Sequence, residues 1–319
     1  MIVVIGEALI DLISKESGKY QAVVGGANAN VALALAVRGE KQAFLGRISS
    51  DGFGQQIRNH LASHRVNLDY AISASEQTTL AVATIDDSGV ASYSFYIEGT
   101  ADWGWTPQEL PSISKLQELG VKVIQYGCLG MAIGPGNVVI ENWLKEIHST
   151  NSITLSHDLN IRPALGFDRA GEKHRVEQLN RISHIIKASD ADIEWLFDLP
   201  SGSNLDEIAD RWSQGKLLVI TRGSDGVSLY RDGKRFDVDG FSANLIDTVG
   251  AGDTFIATFL AELSAVGATG DSPAEKLAGL SEADLEKFAK AANAAAALVC
   301  ERIGCQPPTK QEILARLGA

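Results

Sequence analysis

Short apolar runs rich in β-branched residues recur along this chain, and most are followed by a segment whose apolar residues have helical spacing. The clearest runs are 2–5, 42–45, 121–126, 152–155, 184–187, 217–221 and 227–230. Helical patterns occupy 30–38, 54–64, 135–149, 172–181, 190–197, 205–214, 254–266, 281–299 and 309–318. Strands bracketed by helices predict an α/β fold: a mostly parallel sheet sandwiched by helices on both faces. In such sheets ligands gather outside the carboxyl ends of the strands. The length, 319 residues, suits one large α/β unit or two ordinary ones and can bury a sizeable core.

One stretch breaks the alternation. Residues 79–85 and 91–97 are both β-rich and are separated by the turn sequence Asp86-Asp87-Ser88-Gly89. Tyr93, Phe95 and Ile97 alternate with Ser92, Ser94 and Tyr96, which predicts a hairpin with one apolar and one wetter face. A lone hairpin is marginal and must lean on another surface. Residues 267–281, rich in Gly, Ala, Asp, Ser and Pro, read as a surface loop between two helices.

Composition excludes several functions. A formal net charge of -12 argues against a nucleic-acid binder, whose affinity rests on clustered Lys and Arg. No run approaches the ~18 uncharged apolar residues of a membrane span, and Glu7 and Asp11 interrupt the first apolar run, so neither a signal peptide nor a membrane partner is expected. Three cysteines at unrelated spacings suggest reduced thiols in a cytoplasmic protein. There is no G-x-x-x-x-G-K-[ST], no G-x-G-x-x-G after the first strand, and no H-E-x-x-H.

Two glycine-rich segments carry chemistry. In Asp247-Thr248-Val249-Gly250-Ala251-Gly252-Asp253-Thr254-Phe255, glycines precede an apolar helix. Glycines there let free N–H groups converge on one point, which together with the helix dipole favours an anion, phosphate above all. An acid in the same turn would repel a phosphate, but it makes sense as a base that takes a proton from an attacking hydroxyl. Its ordinary pKa of ~4 would leave it ionised at neutral pH. The plainer alternative is a tight turn with Asp253 as helix N-cap. The second segment, Gly25-Gly26-Ala27-Asn28-Ala29-Asn30, leads into another helix of small residues. Its amides both donate and accept hydrogen bonds, as a polyhydroxylated ligand requires, but either Asn would also serve as a cap.

Together these segments resemble the signatures of the ribokinase-like, or PfkB, family of carbohydrate kinases. The resemblance runs along the whole chain, through Gly46-Arg47-Ile48-Ser49-Ser50-Asp51-Gly52-Phe53-Gly54, Asp158-Leu159-Asn160-Ile161-Arg162-Pro163, Lys187-Ala188-Ser189-Asp190 and Thr221-Arg222-Gly223-Ser224-Asp225-Gly226. Gly6-Glu7-Ala8-Leu9-Ile10-Asp11 and the Asp-x-Asn-x-Arg-Pro stretch look most like the fructokinase branch. The resemblance implies a ribokinase-like fold over 1–319. A small inserted β-sheet, the lid, is implied at 78–105 with a contribution from 12–24. The implied reaction is ATP-dependent transfer of the γ-phosphate to a sugar hydroxyl. Fructose is the first acceptor to expect, with 2-keto-3-deoxygluconate and ribose as alternatives. A non-catalytic sugar-binding regulator is the rival from another class.

The resemblance also assigns residues. Asp253 is the implied base, with Gly250, Ala251 and Gly252 donating N–H groups to the transferring phosphoryl group. Asp11, Gly25, Gly26 and Asn30 correspond to sugar-contacting positions. Arg162 is expected to clamp a phosphate or a substrate oxygen, the alternative being an ion pair with Asp158. Thr221, Gly223, Ser224 and Gly226 resemble the ATP segment, and Asn293 matches a position near the adenine. Many relatives place Asn-x-x-Glu before the helix that organises magnesium waters; here Ser189 and Asp192 stand there, so Asp192 is the candidate for Mg2+ through water, with Glu194 also possible. Asp247 stands where the family often binds a monovalent cation such as K+, although Gly304-Cys305-Gln306-Pro307-Pro308 departs from the usual partner loop. A homodimer through the lid is also implied.

Overall fold

The computed structural model describes residues 1–14, 18–85 and 91–318. Its strands are β1 (Ile2–Ile5), β2 (Leu9–Ser14), β3 (Tyr20–Gly25), β4 (Gln42–Leu45), β5 (Arg47–Ser49), β6 (Ile72–Ala74), β7 (Leu80–Ile85), β8 (Ala91–Tyr96), β9 (Val123–Gly127), β10 (Thr154–Asp158), β11 (Ile185–Ser189), β12 (Leu217–Thr221), β13 (Val227–Arg231) and β14 (Lys234–Val238). The helices that matter below are α1 (Ala27–Val37), α2 (Gly52–Ser63), α3 (Ile113–Glu118), α4 (Cys128–Ala132), α5 (Gly136–Ser149), α6 (Arg169–Ile182), α7 (Asp190–Phe197), α8 (Asp206–Trp212), α9 (Ala251–Ala265), α10 (Pro273–Ala278), α11 (Glu282–Cys300) and α12 (Lys310–Leu317).

The main sheet has eight strands in the order β14-β13-β12-β11-β10-β9-β1-β4. From β12 to β4 every pairing is parallel, and β13 and β14 close the far edge antiparallel. Its central strands are buried on both faces, as their unbroken Val/Ile/Leu runs require. One face carries α1, α9 and α11, whose small and aromatic residues (Ala32, Ala257, Phe255, Phe288, Ala292) merge into one core with Val4 and Val219. The other face carries α5 and α6 in one cluster and α7 and α8 in another.

The strand expected at 2–5 is β1, and the stretch 6–11 that follows it does not continue that strand. Gly6 turns the chain at φ 153, and any Cβ there would come 2.2 Å from the Asn28 amide nitrogen. β1 stays in the main sheet, and β2 leaves it for a second sheet ordered β3-β2-β7-β8. The expected hairpin is therefore half of a four-stranded sheet, with β2 and β7 paired in parallel. The turn expected at 86–89 lies outside the described residues. Asp51, from the G-x-x-x-x-D-x-x-G stretch, caps α2 through Gly54 N–H at 2.7 Å and also accepts the N–H and hydroxyl of Thr78. It thereby ties α2 to the root of the second sheet. Trp103 and Trp105 are buried where the chain rejoins the main body. Residues 267–281, expected as a loop, contain α10, started by Pro273 at its first turn.

Candidate active site

The site grows from the start of α9. Gly250 is its N-cap in a left-handed conformation, φ 80, and no side chain caps the helix. An added Cβ at Gly250 would lie 2.4 Å from Cys305 Sγ, and one at Gly252 would lie 2.8 Å from Lys187 Nζ. The left-handed φ at Gly250 calls for glycine, and at Gly252 a larger residue would have to push the Lys187 ammonium aside. Ala251 N–H already donates to the Thr248 carbonyl at 3.2 Å, so the anion-favouring end of the helix rests on its neighbours Gly252 and Asp253. Asp253 is not the N-cap. It is the third residue of the helix, and its Oδ2 accepts from Asn30 Nδ2 at 2.9 Å. Asn30 is likewise no cap, since α1 starts at Gly26 without a side-chain bond. This hydrogen bond joins the two glycine-rich segments, its residues lying 223 positions apart.

Asp253 and Asn30 are 7% and 8% exposed, enough to reach a ligand and little enough to change the chemistry. Burial raises the Asp253 pKa above the ordinary value expected from sequence; the Asn30 bond and the charges of Lys187 and Arg162 pull it back only in part. A carboxylate so placed is a stronger base than one in water.

A cavity of about 460 Å³ opens beside Asp253. It brings together Asp11, Gly26, Asn30, Arg162, Gly250, Ala251, Gly252 and Asp253. Gly25 stands just behind: a Cβ there would meet Asp11 Oδ2 at 2.2 Å. Burial pushes Asp11 up to about 6, against the pull of the Arg162 charge. The ion pair considered between Arg162 and Asp158 is absent. Asp158 Oδ2 instead meets Lys187 Nζ at 2.9 Å, both side chains being buried. Burial works against the Lys187 charge, but Asp158, Asp192 and Asp253 outweigh it and hold the ammonium protonated. Arg162 makes no ion pair among the described residues. Its guanidinium faces the cavity and keeps its charge, despite burial, because acidic groups including Asp253, Asp192 and Glu7 surround it.

Sequence reading missed part of this wall. Glu7 follows β1, is fully buried, and accepts from Asn28 Nδ2 at 2.9 Å and Gly130 N–H at 3.0 Å. Asn28 thus holds β1 to α4 and is not turned toward a ligand. Cys128 and Asn160 line the cavity with positive φ angles of 52 and 41. Such angles are uncommon outside glycine and mark sharp exits from β9 and β10. Leu129, Ala81 and Phe95 supply an apolar side, the latter two from the second sheet. Glu7 and Asn160 lay inside two of the quoted motifs without being given a role, and position at a strand's carboxyl end was the only sequence signal for Cys128.

The expected nucleotide residues lie outside the lining of this cavity. Thr221 ends β12, and Gly223, Ser224 and Gly226 form the tight turn before β13, closed by Arg222 N–H to the Gly226 carbonyl at 2.8 Å. Asn293 Nδ2 donates to the carbonyls of Val238 and Asp239 at 3.2 and 2.9 Å, so it fixes the chain after β14. Ser189 and Asp192 form a capping box on α7, and Asp192 also accepts from Ile161 N–H at 2.9 Å. Each Asp192 oxygen therefore already accepts one backbone N–H. Glu194 turns away, accepting from Gly202 N–H. Asp247 accepts from Val249 N–H at 3.1 Å and Gly304 N–H at 2.8 Å, bridging the two loops beside α9. No group of three His, Cys, Asp or Glu suited to a metal occurs among the described residues.

A twisted, largely parallel sheet, a small sheet above it, and a buried acid inside a glycine-opened helix start define a class of phosphoryl-transfer enzyme acting on small hydroxylated molecules. Comparison with known proteins makes this specific. Residues 1–312 match the pfkB family carbohydrate kinase model, and the chain belongs to that family. It is 32% identical over 269 residues to a fructokinase of Rhizobium leguminosarum bv. trifolii, covering 82% of this chain and 79% of the relative. A fructokinase of Salmonella typhimurium is 29% identical over 275 residues, covering 85% and 87%. Among solved structures, ATP-bound fructokinase from Xylella fastidiosa superposes with a TM-score of 0.87 at 23% identity, covering 99% of this chain and 98% of that one. A double mutant of the fructokinase from Vibrio cholerae O395 with fructose, ADP and potassium gives 0.83 at 24% identity, covering 99% and 97%. These likenesses establish the ribokinase-like fold. No helix among the described residues is long and apolar enough to cross a membrane.

Proposed function

We propose that this protein is an ATP-dependent fructokinase that transfers the γ-phosphoryl group of ATP to a hydroxyl of fructose. The observation that carries the reading is the Asn30–Asp253 contact, which sets a buried carboxylate at the open start of α9 and in the cavity holding Asp11 and Arg162. Fructose is supported by the names of the relatives.

In this reading Asp11 accepts from sugar hydroxyls, with Gly25 and Gly26 letting the sugar approach the backbone. Asp253 takes the proton of the attacking hydroxyl. N–H groups of Gly250 and Gly252 and the Arg162 guanidinium receive the charge spreading over the transferring phosphoryl oxygens, and Ala251 N–H joins them by giving up its bond to the Thr248 carbonyl. The small sheet, through Ala81 and Phe95, acts as a lid that keeps water from competing with the sugar. The turn at Thr221–Gly226 and Asn293 form the nucleotide side. Mg2+ arriving with ATP would neutralise phosphate charge; Ser189 and Asp192 would meet it through water, and Asp247 would hold K+ between its two loops. A homodimer through the small sheet is the assembly we propose, supported by exposed Tyr20 and Tyr96 on its edge strands.

The test is ADP release with Mg-ATP against fructose, 2-keto-3-deoxygluconate, ribose and adenosine. Fructose should give the highest kcat/KM, and Asp253→Asn should lose ~10²–10⁴ in kcat while still binding fructose by calorimetry. Near-normal turnover in that variant refutes the mechanism. Fructose-induced stabilisation without turnover in the wild type would favour a binding protein.

A further inference from the structure

The small sheet joins the main body where β2, β7 and β8 cross between the two layers, and these crossings meet at one buried side chain. Asp102 lies in the single turn after β8 and is 2% exposed. One oxygen accepts from Ala8 N–H at 2.9 Å, at the residue just before β2. The other accepts from the Thr79 hydroxyl at 2.5 Å, at the residue just before β7. The Thr79 hydroxyl is also 2.6 Å from that of Thr100, on the outgoing side of β8. Thr79 returns the bond, its carbonyl accepting from Ile10 N–H at 3.1 Å. From outside, Arg47 Nε donates to the Ala101 carbonyl at 2.9 Å while its guanidinium pairs with Glu76 and Glu109.

A carboxylate this buried is costly unless its donors are in place, and hydrogen bonds fix direction where apolar packing would only fix distance. Asp102 does not line the cavity. It sits instead at the roots of β2 and β7, the paired strands that carry Asp11 and Ala81 into the cavity wall. We propose that Asp102 is a positioning residue, the hinge clasp that sets the angle of the small sheet over the sugar and so the place of Asp11. The proposal rests on the sugar-kinase reading for its activity readouts, but not for its structural one.

The experiment compares Asp102→Ala with Asp102→Asn. Asparagine can accept from Ala8 N–H and donate to Thr79 Oγ1, so it keeps the clasp; alanine removes it. Three quantities are read: KM for fructose and for ATP, sugar phosphate formed per ADP released, and hydrogen exchange of residues 80–84 and 94–97 against β9–β12. Asp102→Ala should raise the fructose KM about tenfold, the size of one lost buried hydrogen bond. The ATP KM should hold, the phosphate-to-ADP ratio should fall below one, and exchange should quicken in the small sheet alone. Asp102→Asn should restore all of these. A folded Asp102→Ala with wild-type fructose KM and unchanged exchange overturns the proposal. So does a general loss of kcat that merely follows a lower Tm. If Asp102→Ala does not fold, Thr79→Val, which removes a single donor, is read in the same way. A wild type inactive on every sugar would instead sink the kinase reading, and the exchange contrast between the Ala and Asn variants would still decide the clasp.

Discussion

Replacing Asn30 by Leu keeps the branching of the side chain at Cγ and removes the one side-chain donor to the Asp253 carboxylate among the described residues, a bond of 2.9 Å. A hydrogen bond to a charged group is worth about 1.5–3 kcal/mol, and one pKa unit corresponds to about 1.4 kcal/mol. Losing the bond should therefore raise the Asp253 pKa further. The direction follows from burial, which already raises this group and which the Asn30 bond opposes. A base must be ionised to act, so the acid limb of the kcat profile should move to higher pH by the same amount. Activity should return well above that limb. The assay is fructose-dependent ADP release across pH 5–9 at saturating substrates, so that any loss of sugar affinity falls in KM. An acid limb that stays in place, or a loss of kcat equal at every pH, would refute the view that Asn30 tunes the base.

The other predictions concern neighbours of the same site. Gly250→Ala must adopt φ 80 and displace Cys305 Sγ, 2.4 Å from the new Cβ; left-handed backbone alone costs about 1–2 kcal/mol, so Tm should fall and the ATP KM rise, and a neutral result would mean that the loop does not hold phosphate. Asp11 has a folded pKa of about 6, above its ordinary value, so the folded state holds the extra proton between the two and loses stability as pH rises through 6. Asp11→Asn should then raise Tm at pH 7.5 by the equivalent of about 1 kcal/mol, given partial exposure, with the gain gone near pH 4 and fructose affinity lost throughout. Lys187→Met strands Asp158 in the interior and should destabilise by about 3–5 kcal/mol in chemical denaturation, with Lys187→Met/Asp158→Leu recovering most of it; no recovery would mean the pair is not the cause.

Much of this molecule was legible in its one-dimensional pattern. Fully buried central strands need continuous apolar runs, so β1, β4, β9 to β13 and the helices between them could be read locally. The glycine-opened start of α9 was legible for the same reason: its φ angle and close approaches tolerate nothing else. What was not legible depended on contacts between distant residues. The break at Gly6 follows from Asn28 filling the space where a Cβ would stand, and it sends β2 into the second sheet. β3, β5 and β6 are too short or too mixed for a period to show, and they exist because neighbours complete their hydrogen bonds.

Within the site, sequence named the acid, the glycines and the arginine as separate candidates, each with a plain alternative as a cap or an ion pair. Tertiary structure removed those alternatives: Asp253 is bound by Asn30, Asp158 is taken by Lys187, and Arg162 is left facing the cavity. Residue type sets what a group can do, and that is carried along the chain. Burial and partners set what it does, and these arise only when the carboxyl ends of β1, β9 and β10 bring Glu7, Cys128 and Asn160 around α9.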